Sequence, residues 1–212
     1  MLLMHTAALP TMRRFQHPNL ARLVQPREYT RLADTPGHGL LWAADNDCFN
    51  GGLDPEAYYD MLDACKGVPG CQWVTLPDIV GDPIETIRLM GVWHRGLLRR
   101  GLPMAFVAQD GMESLTHRVP WHLVRCLFIG GSTEWKLSDA AAHLVRAAKR
   151  RGLLVHAGRV NSRRRYQHFA ALGADSFDGT GACRFRDTNL PKYLHWTQQP
   201  VQLHVLGLTP SA

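Results

Sequence analysis

Short apolar runs that end on a small or acidic residue, each followed by a stretch of helical periodicity, recur at least five times in this chain. That alternation restricts its fold more than any other feature. Residues 39–44 (GLLWAA) run into Asp45, and residues 54–65 follow with Tyr58, Met61, Leu62 and Cys65 at helical spacing behind Pro55. Residues 72–76 end at Pro77-Asp78, and a helix is predicted over 83–100, although Gly91 and Gly96 weaken it. Strands over 104–108 and 126–129 end at Gln109-Asp110-Gly111 and Gly130-Gly131. A helix over 137–151, a strand over 153–156, a helix over 162–172 and a strand over 174–177 ending at Asp178-Gly179 complete the series.

Repeated β-α units call for a parallel sheet with right-handed crossovers. The expected class is therefore α/β, a small or incomplete (β/α)8 TIM barrel of parallel strands. Six strands are clear and residues 20–24 offer another. An open doubly wound sheet is the rival, disfavoured because no GxGxxG follows a strand. The expected division is an irregular N-terminal segment over 1–37, the barrel over 38–187 and a C-terminal segment over 188–212.

The apolar runs are too short to cross a bilayer, so no membrane association is expected. Residues 1–10 lack the basic and long apolar parts of a secretory signal. Five cysteines without a CxxC pair argue against a disulfide framework and a zinc ribbon, and fit a cytoplasmic setting. The net charge of +6 is unevenly spread. Eight Lys or Arg and no acid lie between Arg146 and Arg165, whereas six acids and no Lys or Arg lie between Asp45 and Asp63. A basic block beside an acidic one fits a polyanion held near a carboxylate-bearing site, although solvated helix faces give the same pattern.

In a barrel the chemistry is built where strands end. Asp45, Asp78 and Asp178 each follow an apolar strand, so a barrel would aim them into one cleft. Carboxylates crowded in a partly dry cleft acquire separated pKa values, letting one act as a base and another as a nucleophile. A carboxylate nucleophile suits attack on a sugar C1′. The plainer alternative is that each Asp caps the next helix. Asp78 and Gln109 suit a purine edge, the first accepting from two donors and the second offering one donor and one acceptor. Gly130-Gly131 would let a flat base approach the backbone, and Phe49 would stack on it. Of the tryptophans at 42, 73, 93, 121, 135 and 196, most are expected in the core.

The segments ADNDCF (44–49), PDIVGD (77–82), VAQDG (107–111), IGGSTEWK (129–136), GRVNS (158–162) and DSFDGT (175–180) together resemble the tRNA-guanine transglycosylase superfamily. They are most similar to its short phage and actinobacterial branch, the deoxypurine-in-DNA proteins that put 7-deazaguanines into DNA. The resemblance runs from about residue 38 to 187. It implies a TIM barrel that exchanges guanine for a 7-deazaguanine such as preQ0 on an intact sugar-phosphate backbone, without a cofactor. By motif it implies Asp178 as nucleophile and Asp45 as general acid/base, with Asp78, Gln109, Gly130 and Gly131 recognising the base and Gly158 nearby. Asp175, the earlier acid of the last motif, ranks below Asp178.

Arg184 is expected on a phosphate. Arg159, Arg163 and Arg164 follow a strand end and are expected beside the cleft, on phosphates. A base inside a duplex must be extruded to reach such a site. The sequence departs from the family's pattern in two places. Asp47 stands where the family usually has Gly, and only Cys183 lies where the tRNA enzymes carry three Cys and a His for zinc. No metal is therefore expected, and the missing insertion favours DNA over tRNA. The alternatives are the same exchange on tRNA, and a non-catalytic nucleic-acid-binding barrel.

Overall fold

In the computed structural model, which describes residues 1–7, 9–26, 39–50 and 52–201, eight parallel strands close into a barrel. They are β1 (Leu2–His5), β2 (Leu20–Val24), β3 (Trp42–Ala44), β4 (Cys71–Thr75), β5 (Met104–Ala108), β6 (Cys126–Ile129), β7 (Leu154–Ala157) and β8 (Ser176–Phe177). Each pairs with the next, and β8 returns to β1 through Leu2↔Ser176 and Leu3↔Phe177, so the rival open sheet is excluded. The helices are α1 (Leu9–Phe15), α2 (Pro55–Cys65), α3 (Pro83–Arg99), α4 (Thr133–Lys136), α5 (Asp139–Arg150), α6 (Arg163–Ala171), α7 (Thr180–Cys183) and α8 (Arg186–Gln198). A 3-10 segment, Met112–Arg118, stands between β5 and β6. Among the described residues no helix is long and apolar enough to cross a membrane.

The barrel starts at Leu2, well before residue 38. Residues 2–5 and 20–24 supply two of its walls, so the N-terminal segment is part of the barrel. The C-terminal segment likewise joins it: α8 buries Leu190, Tyr193, Leu194 and Trp196 in the core. Residues 27–37 of the first segment and 202–212 of the last lie outside the described residues.

Strand periodicity sorts the core into two layers. Met4, Ala21, Leu23, Ala43, Trp73, Ala105, Val107, Cys126 and Phe128 form one buried cluster inside the barrel, joined by Leu2 and Leu154. Their strand neighbours, including Leu3, Trp42, Val74, Phe106, Leu127 and Val155, pack outward against the helices. Trp42, Trp73, Trp93, Trp135 and Trp196 are all buried, as core residues should be.

Five of the helices are capped by side chains other than the strand-end carboxylates. Asp54 caps α2, Asp82 caps α3, Ser132 caps α4, Ser138 caps α5 and Ser162 caps α6. Asp45, Asp78 and Asp178 do none of this work and remain available to the barrel mouth.

Candidate active site

Two residues beyond each inward-facing side chain lies the next inward position, now at the carboxyl rim of the barrel. Thr6, Gln25, Asp45, Gln109, Gly130, Gly158 and Asp178 occupy that position after Met4, Leu23, Ala43, Val107, Phe128, His156 and Ser176. All seven line one cavity of about 380 Å³, together with Asn46, Phe49, Asp78, Val80, Arg159, Thr180, Cys183 and Arg184. Its size is that of a small-molecule site. The sequence-predicted residues Asp45, Asp78, Asp178, Gln109, Gly130, Gly158, Phe49, Arg159 and Arg184 thus meet in a single place.

Asp178 is held from two sides. Its Oδ1 accepts the Arg159 backbone N–H at 3.0 Å and its Oδ2 lies 3.0 Å from His156 Nε2. A carboxylate accepts only, so Nε2 carries the hydrogen of His156. Burial pushes the pKa of His156 below its ordinary value, which leaves Nδ1 free to accept from the Ser176 hydroxyl at 2.9 Å. The imidazole is fully buried between Trp73 and Phe128, with ring centroids 4.6 and 4.5 Å away. A Ser176–His156–Asp178 chain therefore rises through the barrel interior and fixes the carboxylate's orientation.

Asp45 faces the same cavity in a different state. Burial, then the negative charges of Asp178 and Asp78, push its pKa up to about 7, while a 3.2 Å hydrogen bond from Gln25 Nε2 opposes the shift. A carboxyl poised at neutral pH is suited to giving and taking a proton. The same shift has a stability consequence. The folded chain keeps this proton up to about pH 7 whereas the unfolded chain releases it near 3.8, so this group's contribution to stability falls as pH rises between those values. Asp45→Asn is expected to raise Tm relative to the parent by more at pH 8 than at pH 5, read by thermal unfolding at both.

Asp78 and Gln109 form a fixed pair. Asp78 Oδ1 accepts from Asn46 Nδ2 at 2.8 Å and Oδ2 from Gln109 Nε2 at 2.7 Å. Gln109 Oε1 in turn accepts the Gly81 and Gly131 N–H groups at 3.1 and 3.2 Å. The amide is therefore oriented with its donor side towards Asp78. Burial raises the pKa of Asp78, and the two amide donors counteract that.

The Gly130-Gly131 pair works differently from the sequence expectation. The Gly130 N–H is spent on Ala108 O and the Gly131 N–H on Gln109, so neither is open to a base. What the pair supplies is room. A Cβ at Gly130 would meet Gln109 Nε2 at 2.8 Å. One at Gly131, where φ is +38°, would overlap the Trp135 ring and meet Asp110 Oδ2 at 2.7 Å. Gly131→Ala is expected to cost on the order of 2 kcal/mol through overlap and left-handed strain, measured by denaturant unfolding.

Phe49 is 58% exposed at the mouth and carries the Arg159 guanidinium 4.2 Å above its ring. Arg159 Nη2 also donates to Gly131 O at 2.6 Å, so this residue spans the rim. Arg163 and Arg164 are exposed in the first turn of α6, which begins at the same end of the barrel. Arg184 is exposed on the cavity's edge. The basic block of the sequence is split by the fold. Arg146, Lys149 and Arg150 lie in the last half of α5, which runs away from the mouth to the start of β7. Lys149 is there paired with Asp175 at 2.8 Å, and Arg151 lies over Trp121. Asp175 precedes β8 where Asp178 follows it, so the lower-ranked acid sits at the opposite barrel end, accepting from Lys149 and Val155 N.

Asp47 takes φ +58°, a left-handed conformation that Gly adopts without strain and Asp tolerates better than most residues. Cys183 is half-buried beside Thr6 Oγ1 at 3.3 Å. Sequence reasoning missed Gln25, Asn46, His156, Ser176 and Lys136. Buried Lys136 donates to Gly158 O at 2.7 Å, and burial lowers its pKa to about 8. His156 and Ser176 had a usable signal: each stands two residues before a strand-end site residue and so shares its face. A scan against protein-family models finds no match to this chain, and a search of the curated proteins finds none either.

Proposed function

We propose that this chain is a guanine transglycosylase that exchanges guanine in DNA for a 7-deazaguanine base of the preQ0 type through a covalent aspartyl-glycosyl intermediate. The observation that carries the reading is the pairing of two unlike carboxyls in one cavity: Asp178, oriented by two N–H donors, and Asp45, poised near neutrality. The six motifs read from the sequence supply the reaction class, and the cavity gathers residues from all of them.

The extruded guanine enters between the Asp78–Gln109 pair and Phe49. An Asp178 oxygen attacks C1′, the C1′–N9 bond breaks, and protonated Asp45 gives its proton to the departing base. The phosphates stay intact. The incoming deazaguanine then loses its N9 hydrogen to Asp45, its N9 attacks C1′, and the ester to Asp178 breaks, returning both carboxyls to their starting states. Arg159, Arg163, Arg164 and Arg184 would meet the flanking phosphates.

The test is direct. Purified protein is given duplex DNA, single-stranded DNA or tRNA with labelled preQ0, and the recovered nucleosides are weighed by mass spectrometry. Label in deoxyguanosine's place is the expected result. Label in tRNA only would move the substrate assignment to RNA. Salt-dependent DNA binding with no exchange on any substrate would overturn the enzymatic reading in favour of a binding barrel.

A further inference from the structure

The rim of the cavity carries a feature that base exchange leaves unexplained. Between Asp78 and α3 the chain makes a tight turn in which Asp82 N donates to Ile79 O at 3.0 Å, with Gly81 at φ +77° in the third position. That is the geometry of a type II turn. It is fastened from three directions. The Thr86 hydroxyl, itself buried, accepts the Ile79 N–H at 3.1 Å and donates to Asp82 O at 2.8 Å. Gln109 Oε1 takes the Gly81 N–H, and the Asp82 carboxylate is committed to the α3 N-terminus.

This well-anchored turn exposes two aliphatic side chains. Ile79 is 44% and Val80 48% exposed, and Val80 borders the cavity. What sets this pair apart from other exposed aliphatic side chains is its rigid support at the edge of the cavity, which suits it to contact whatever enters there. Two such side chains fall well short of the roughly 800 Å² per side that a stable protein partner covers. The charge around the mouth narrows the choice. In the closed order of eight strands, β4 and β8 lie half a turn apart. Arg163, Arg164 and Arg184 stand on the β7–β8 side, where a phosphate backbone would run, and Arg159 reaches across the mouth to Phe49, whereas Asp78 and Asp82 flank the turn. A turn flanked by carboxylates is a poorer neighbour for phosphates than for bases. Aliphatic side chains inserted between base steps are a recurrent way to hold an unstacked duplex.

We infer that the Ile79–Val80 turn is a wedge that enters the base stack of duplex DNA and fills the gap left when the target nucleotide swings into the cavity. The inference rests on the base-exchange reading but makes a separate claim, that the substrate is paired DNA opened by the protein itself.

The experiment compares the parent with the Ile79→Ser/Val80→Ser double variant, which keeps Gly81 and the turn's anchors. Exchange is measured on a fully paired duplex and on the same duplex with the target guanine opposite an abasic site. The ratio of paired to pre-opened activity is expected to fall at least tenfold in the variant. An unchanged ratio would overturn the wedge. In parallel, 2-aminopurine replaces the target guanine, and its fluorescence reports extrusion without chemistry. The parent is expected to raise the signal on duplex DNA and the variant to lose most of that rise. No rise with the parent, or a rise only on a paired RNA stem, would also overturn it. Failure of all exchange with a normal fluorescence rise would instead strike the base-exchange reading and leave the wedge standing.

Discussion

Asp178→Asn is expected to lower base exchange at least a thousandfold while leaving the barrel folded. The loss follows because a carboxamide cannot form the glycosyl ester, and a nucleophile's removal is felt in full at the chemical step. The fold survives because the Asn oxygen still accepts the Arg159 N–H. Its NH₂ then meets His156 Nε2, and the buried imidazole adapts by carrying its hydrogen on Nδ1, where Ser176 Oγ accepts it. Incorporation of labelled base, with a thermal melt as control, measures both. A variant within tenfold of the parent would mean that Asp178 is not the nucleophile.

Asp45→Asn is expected to cut exchange by a factor of about 10² to 10⁴, the usual span for a general acid/base. The more telling result lies in the pH dependence. Departure of guanine needs the protonated form of Asp45, and its pKa is pushed up to about 7. In single turnover without incoming base, ester formation by the parent is therefore expected to be level at low pH and to fall tenfold per unit above about 7. Capture of the incoming base needs the ionised form and is expected to fall on the acid side instead. Asp45→Asn should flatten both limbs. An alkaline limb that persists in the variant would assign the proton to another group.

What was legible in the sequence was whatever repeats with a period. The helices over Pro55–Cys65 and Pro83–Arg99 follow from spaced apolar residues behind proline, and β5 and β6 from short apolar runs. β1 was missed because four residues are too few to establish an alternation, and nothing local says that they close a ring with β8. The expected start of the helix at 137 was early by about a cap: Leu137 is the C-cap of α4, a short helix the sequence did not reveal, and Ser138 caps α5, which begins at Asp139. The strand-end acids were readable because they terminate strands. The groups that tune them were not. His156 and Ser176 matter through contacts to Asp178, and Gln25 acts on Asp45 from a neighbouring strand's end. Such contacts exist only once the ring closes. The basic block misled in part for the same reason, since half of it runs down α5 to the far end of the barrel.

The central claim is that a deoxyribose is carried on Asp178 between two bases. Incubating the protein with duplex DNA in the absence of incoming base, quenching in denaturant and mapping the nuclease-trimmed adduct by peptide mass spectrometry reads this directly. A deoxyribosyl ester on the peptide bearing Asp178, lost on adding preQ0, is the result expected. An adduct mapped to Asp45, or continuing exchange with no adduct on either carboxyl, would contradict the account.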